Sequence, residues 1–267
     1  MSQIFARNMT WKEYQAKVED HILILPVGST EQHGPHLPLG VDCIIAEKYS
    51  ESIAEKVKAV IAPTITYGYK SQPASGGGPL FPGTVDLNGS TLTSLIYDVL
   101  KEFIADGWKN ILIMSGHYEN DAFLAEACDL LLRDQKEEFP KILLSNWWDN
   151  ISPELLPTIF DEVEFKGWAM EHAAITETSM MMYFTPDLVH EDLITDDGIE
   201  NAPTYQRFPP SKNLIPASGC LYTGKSSTAE KGRLIVENVS TNIISFLKKE
   251  FTVERKEIYV TNSSINK

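Results

Sequence analysis

The sequence predicts an α/β fold, a three-layer α/β/α sandwich with a mainly parallel central sheet. Short apolar runs alternate with longer segments whose apolar residues fall at helical spacing, the mark of βα units. Each run ends in turn residues before the helical pattern begins, so successive strands are joined by crossovers and run parallel, with helices on both faces. At 267 residues and 43% hydrophobic content, the chain sits at the upper end of what one core usually holds, and residues 1–267 read as a single domain.

The first strand is Ile22 to Val27. A Gly- and Pro-rich loop follows, then a helix from Cys43 to about Val57, with Asp42 placed to cap it. Val60 to Ile65 reads as the second strand. From Gly68 to Gly89 the chain lacks periodicity and is too long for a mere connector, as functional loops often are. Leu92 to Phe103 has helical spacing, Ile111 to Met114 is a third strand, Ala122 to Leu132 a helix and Ile142 to Ser145 a fourth strand. Helices from about Met170 to Phe184 and from about Ala229 to Lys249 complete the pattern, the Met180-Met181-Met182 cluster serving as helix packing.

Composition narrows the function. Formal net charge is -14, from 37 acidic and 23 basic side chains, which repels nucleic acid and anionic lipid surfaces. Cys43, Cys128 and Cys220 are an odd number without paired short spacing, which argues against a disulfide framework or zinc ribbon and fits the reducing cytoplasm. No stretch approaches the roughly eighteen apolar residues that a membrane span needs.

The chemistry concentrates after two strands. Glu31-Gln32-His33-Gly34-Pro35-His36 follows the first, with Asp42 six residues on, and Gly116-His117-Tyr118-Glu119-Asn120 follows the third. Each strand end offers an imidazole and a carboxylate two residues apart, which in extended backbone point the same way with Cα atoms roughly 6 to 7 Å apart. Glu31, His33, Asp42, His117 and Glu119 are the candidate metal ligands, and Asp42 the bridge of a dinuclear site, whose ions lie about 3.5 to 4 Å apart. Oxygen and nitrogen donors without thiolate suit Zn²⁺ or Mn²⁺. Taken singly, each His could be a polar loop residue and Asp42 only a helix cap; the repeated spacing favours metal.

The sequence resembles the creatininase family at these positions, in which Glu-x-His-Gly-x-His-x-Pro, a following Asp and Gly-His-x-Glu-Asn form a dinuclear metal site. Carried over, the resemblance gives Glu31, Asp42 and His117 to one cation, and His33, Asp42 and Glu119 to the other. It extends to Gly68-Tyr69-Lys70-Ser71-Gln72, the Ser75-Gly76-Gly77-Gly78 run, Glu171-His172, Glu177-Thr178-Ser179, Trp148 and Trp168, and covers roughly residues 20 to 235. It implies hydrolysis of the cyclic amide of creatinine to creatine, two divalent cations (Zn²⁺ or Mn²⁺) per subunit, and a homo-oligomer, expected to be a hexamer. Ser75, Tyr118, Trp148, Trp168 and His172 become substrate-binding candidates. Where the family pattern has Trp-Asp, this chain has Trp168-Ala169; that aspartate contacts substrate, so other small cyclic amides, formamides or cyclic ketones stay open.

His172 is the candidate catalytic acid and base, because an imidazole titrates near working pH, and Glu171 would orient or polarise it. The pair could instead only solvate a helix start. Trp147 and Trp148, beyond the fourth strand among Asn146, Asp149 and Asn150, suggest a mobile aromatic cover. Gly219 to Ser226 satisfies the P-loop pattern, which makes a nucleotide-binding protein a formal alternative. That cradle works only between a strand and a helix N-terminus, and Pro216 breaks the short preceding run. A metal sensor without catalysis is a third class; it would keep the five ligands and leave creatinine intact.

Overall fold

The computed structural model describes residues 3–72, 77–134, 139–199, 205–211, 213 and 215–251. Ser75 lies outside them. The sheet is built from β1 (Ile22–Val27), β2 (Ala59–Ile61), β3 (Asn110–Ser115) and β4 (Lys141–Asn146), in the order β2-β1-β3-β4 and parallel throughout.

Alternate residues of each strand point to opposite faces, and the two faces have separate cores. Ile22, Ile24, Ile61, Leu112 and Met114 face one side. There they meet Ile45 and Tyr49 of α2 (Val41–Ala54), Ile175 and Met180 of α6 (Ile175–Phe184), and Ile235 and Val239 of α7 (Ala229–Glu250). Leu23, Leu25, Val27, Ile111 and Ile113 face the other. Their partners are Leu92, Ile96 and Leu100 of α3 (Gly89–Ala105) and Leu124, Ala127 and Leu131 of α4 (Asp121–Asp134). With both faces covered, the strands have no polar side to show, which is why they read as unbroken apolar runs. Met180 and Met181 are fully buried core residues, as their reading as helix packing requires.

Boundaries differ from the sequence reading for local reasons. β2 stops at Ile61 because Pro63 offers no N–H to a ladder, and only an isolated bridge, Val27 to Ile65, continues the alignment. α6 begins at Ile175 rather than Met170: Ala173 has φ +53°, incompatible with a continuous helix, and its N–H donates to Glu177 Oε2 at 2.7 Å. Asp42 does not cap α2. Gly40 holds that position and Asp42 lies in the first turn, its carboxylate turned to the site described below. Two short helices escaped the periodicity reading, α1 (Trp11–Gln15) and α5 (Leu156–Ile159), although α1 announces itself with a Thr10/Glu13 capping box.

The nucleotide-binding alternative is corrected by the chain around Gly219. Among the described residues no strand enters the Gly219 to Ser226 segment, and α7 starts only at Ala229. Lys225 Nζ instead reaches Asp196 at 3.3 Å on the surface. None of the described helices is long and apolar enough to cross a membrane.

Candidate metal centre

The chain passes from β2 on one side of β1 to β3 on the other, so the carboxyl ends of β1 and β3 diverge and leave the crevice where such sheets bind ligands. Val27 and Ser115 are register partners, and Gly28 and Gly116 follow them, the Gly116 N–H donating to Val27 O at 2.8 Å. Both glycines are needed for space. A Cβ at Gly28 would fall 2.5 Å from Cys43 N, and one at Gly116 would fall 2.2 Å from Asp42 O. The first turn of α2 therefore rests directly on the two strand ends and sets Asp42 between the β1 and β3 loops.

Two donor groups that share Asp42 meet there, and a third, Glu31, His33 and His172, overlaps both. Glu31, Asp42 and His117 form the first, and His33, Asp42 and Glu177 the second. His117 Nδ1 is 3.0 Å from Glu31 Oε1 and 3.1 Å from Asp42 Oδ2. His33 Nε2 is 3.2 Å from Asp42 Oδ1 and 3.6 Å from Glu177 Oε2. Asp42 gives one oxygen to each group, as a bridge would. All five side chains are buried.

Several observations test this pocket for cations, and all agree. His33 Nδ1 is held by Glu31 O at 3.2 Å and His117 Nε2 by Tyr69 O at 3.0 Å. A carbonyl on the outer nitrogen fixes each tautomer and leaves the inner nitrogen as a lone pair aimed at the carboxylates. His33 Nε2, Asp42 Oδ2 and Glu31 Oε2 are buried atoms without a hydrogen-bond partner, although such atoms are paired in the great majority of native structures. Oxygen and imidazole donors without thiolate suit Zn²⁺ and Mn²⁺. The titration agrees. Burial pulls both imidazoles toward the neutral form, but Glu177 and Asp42 around His33, and Glu31 and Glu119 around His117, outweigh it and raise both pKa values well above the ordinary value. Burial likewise resists ionisation of Asp42, and His33 with His117 overcomes it, holding that carboxyl below the usual range.

The pairing drawn from sequence needs one change. His33 and Asp42 find Glu177, in the first turn of α6, where Glu119 was expected. Glu119 belongs to neither group: its Oε2 lies 3.4 Å from the outer nitrogen of His117, and its Oε1 accepts from Gln72 N–H at 3.0 Å. Within the helix pattern Glu177 looks like an ordinary N-terminal carboxylate, favoured there by the dipole, and only its place in Glu177-Thr178-Ser179 hinted at more.

A cleft opens above the donor groups, walled by Tyr118, Trp147, Trp148, Trp168 and Ala169 and lined also by Glu119, Glu171 and His172. Trp147 and Trp148, expected as a cover, are packed and buried here. They belong to the larger core, 5.5 Å apart edge to face, with Trp168 5.9 Å from Trp147. Tyr118, 48% exposed and 5.5 Å from Trp148, is the open member. Trp147 Nε1 is a buried donor without a partner.

His172 lies beside the donor groups, its ring 4.4 Å from His33 and its Nδ1 3.8 Å from Glu31 Oε1. Burial, reinforced by the His33 charge, lowers its pKa to about 4. Glu171 does not touch His172 in the expected way: its Oε2 accepts from Thr176 N–H and Oγ1–H at 3.0 and 2.8 Å. Burial raises its carboxyl to about 7. The group that does bond the His172 ring is Gln32, Nε2 to Nε2 at 2.9 Å, a residue the sequence reading left unassigned.

The family model described as "Creatininase: Creatinine amidohydrolase" matches residues 7–247. The chain belongs to the creatininase family. It is 39% identical to the creatinine amidohydrolase of Pseudomonas putida over 254 residues, 93% of this chain and 97% of that protein. A mycofactocin precursor peptide peptidase of Mycolicibacterium smegmatis is 30% identical over 233 residues, covering 82% and 81%. Among solved structures, a mutant creatininase complexed with creatine and a Mn creatininase each superpose with TM-score 0.90 at 38% identity, over 93% of this chain and 99% of theirs. A Zn-Zn form gives 0.91 at 37%, over 94% and 99%. The three-layer reading of the fold is thereby established for this creatininase-family chain.

Proposed function

We propose that this chain is a dinuclear-metal amidohydrolase that opens the cyclic amide of creatinine to creatine and closes it in reverse. The observation that carries the reading is the shared Asp42, one oxygen in each of two buried donor groups at the floor of an aromatic cleft. Glu31, Asp42 and His117 would hold one divalent cation, Zn²⁺ or Mn²⁺, and His33, Asp42 and Glu177 the other. When bound, the cations supply a nucleophile at neutral pH and polarise the amide carbonyl.

The remaining work falls to side chains. Glu119 backs His117 and borders the cleft, placed to take a proton from the attacking water. His172, which could also close a donor group with Glu31 and His33, is assigned instead to the carbonyl oxygen and the departing nitrogen. Glu171, with its carboxyl near neutrality and an unpartnered Oε1, is a further proton source. Trp148, Trp168 and Tyr118 enclose a small planar ring, and Ser75 joins them on the strength of the family resemblance. The homo-oligomer, a hexamer, and the cytoplasmic setting rest on the same resemblance and on composition.

One observation favours a second substrate. Ala169 puts a methyl group in the cleft wall, so a cyclic amide, formamide or cyclic ketone with an apolar substituent would fit where a polar one would find no partner.

Assay after exhaustive chelation and after reloading with Zn²⁺ or Mn²⁺, against creatinine and a panel of cyclic amides, tests the reading. Activity should vanish and return. Full turnover by metal-free protein refutes it, and stoichiometric metal binding with every substrate left intact identifies a sensor instead.

A further inference from the structure

We infer that Gln32 is a positioning residue that fixes the tautomer of His172, with the ring proton on Nδ1 and turned to the cleft. Two backbone groups set the Gln32 amide. The Gly34 N–H donates to Oε1 at 2.9 Å, and Nε2 donates to Gly219 O at 2.9 Å. Turning the amide over would face donor with donor at Gly34 and acceptor with acceptor at Gly219. Both bonds would be lost in a buried site, where an unmade hydrogen bond is costly.

The amide nitrogen has two hydrogens and cannot accept. That nitrogen donates to Gly219 O and lies 2.9 Å from His172 Nε2, which it can meet only as a donor. His172 Nε2 must therefore present its lone pair, and the neutral ring carries its proton on Nδ1. Nδ1 is the nitrogen that faces Glu31 Oε1, at 3.8 Å.

The seat for this arrangement is Gly219. Its φ is +82°, and a Cβ there would fall 2.1 Å from Gln32 Oε1. Two residues on, the Leu221 N–H donates to His172 O at 3.2 Å, so one short segment holds both Gln32 and His172. The first glycine of the P-loop-like pattern thus has a reason unrelated to phosphate.

The chemical consequence concerns the first act of His172. It meets the substrate as a hydrogen-bond donor from Nδ1, to the carbonyl oxygen or the ring nitrogen. To accept a proton at Nδ1 it would need the Gln32 amide to leave both backbone partners. This deepens the hydrolase reading and rests on it for substrate contact, but the tautomer is measurable without turnover.

Long-range proton–nitrogen correlation spectra of the nitrogen-15-labelled full chain, with and without Zn²⁺, test it. The His172 signals are identified by their loss in His172→Asn. A protonated Nδ1 and unprotonated Nε2 are expected, and a protonated Nε2 overturns the inference. Gln32→Met keeps the length and removes the donor. It should move His172 toward the Nε2–H form and lower kcat by roughly ten- to a hundredfold, as loss of such orienting partners does, with KM changed less and metal content kept. An unchanged tautomer in that variant also overturns it, and the wild-type spectrum decides should the variant fail to fold. The expected tautomer without hydrolysis of any cyclic amide would sink the hydrolase reading alone.

Discussion

Glu177 and Glu171 are six residues apart, and the structure gives them opposite electrostatic settings. Glu177 faces the raised imidazole of His33. We expect Glu177→Gln to lower metal content from two equivalents per chain toward one, read by elemental analysis of the dialysed protein. Glu171 is held toward its neutral form by burial, its pKa rising from 4.5 to about 7. The folded state thus keeps a proton that the unfolded state releases near 4.5. That contribution to stability is fully present below 4.5 and is lost as pH rises through about 7, amounting to about 3 kcal/mol at most. In metal-free protein, Glu171→Gln should therefore gain on the wild type between pH 5 and pH 8 in urea midpoints; parallel pH dependences would contradict the buried-acid assignment. Legibility divides the same way at this scale. His33 and His117 stand two residues from a carboxylate just past a strand, a pattern visible in one dimension. Gln32 meets Gly219 across 187 positions, and nothing local in either residue announces the contact. Ser75 lies outside the described residues and keeps the role that resemblance gives it.

At the scale of elements, the close approach of α2 to the strand ends decides whether Asp42 can bridge. Gly116→Ala puts a methyl group against Asp42 O, backbone against side chain, with no flexible tip to give way. We expect a loss of roughly 1–3 kcal/mol, as overpacked sites show, together with weaker metal binding, measured by denaturant melts and chelator competition. Full metal affinity in a stable Gly116→Ala protein would show that α2 can shift without cost to the site. The strands were legible because a sheet covered on both faces writes itself as apolar runs. The ends were less so. The left-handed φ of Ala173, which delays α6 to Ile175, answers to its bond with Glu177, and the short α1 and α5 carry too few turns for a period to emerge.

For the molecule as a whole, the proposed ligands come from the β1 and β3 loops and from α2 and α6, so bound cations would tie the layers together. A ligand bound only by the native state stabilises it by about 4 kcal/mol at a thousandfold excess over Kd. Chelation should therefore lower the melting temperature reversibly, and a metal-independent melting curve would show the donors to be idle. The formal charge of -14 is legible from composition, and it bears on partners and solubility rather than on fold.

The order in which the donors occur along the chain bears on biosynthesis. Glu31, Asp42 and His117 all precede residue 177 in the chain, so on the proposed assignment the first donor group would be complete in sequence before the second. Complete loading must wait for α6 to dock, and the clamp on His172 waits longer still, until the segment around Gly219 has emerged. On the proposed assignment, catalytic competence would therefore come only once the Gly219 segment has closed on Gln32 and His172.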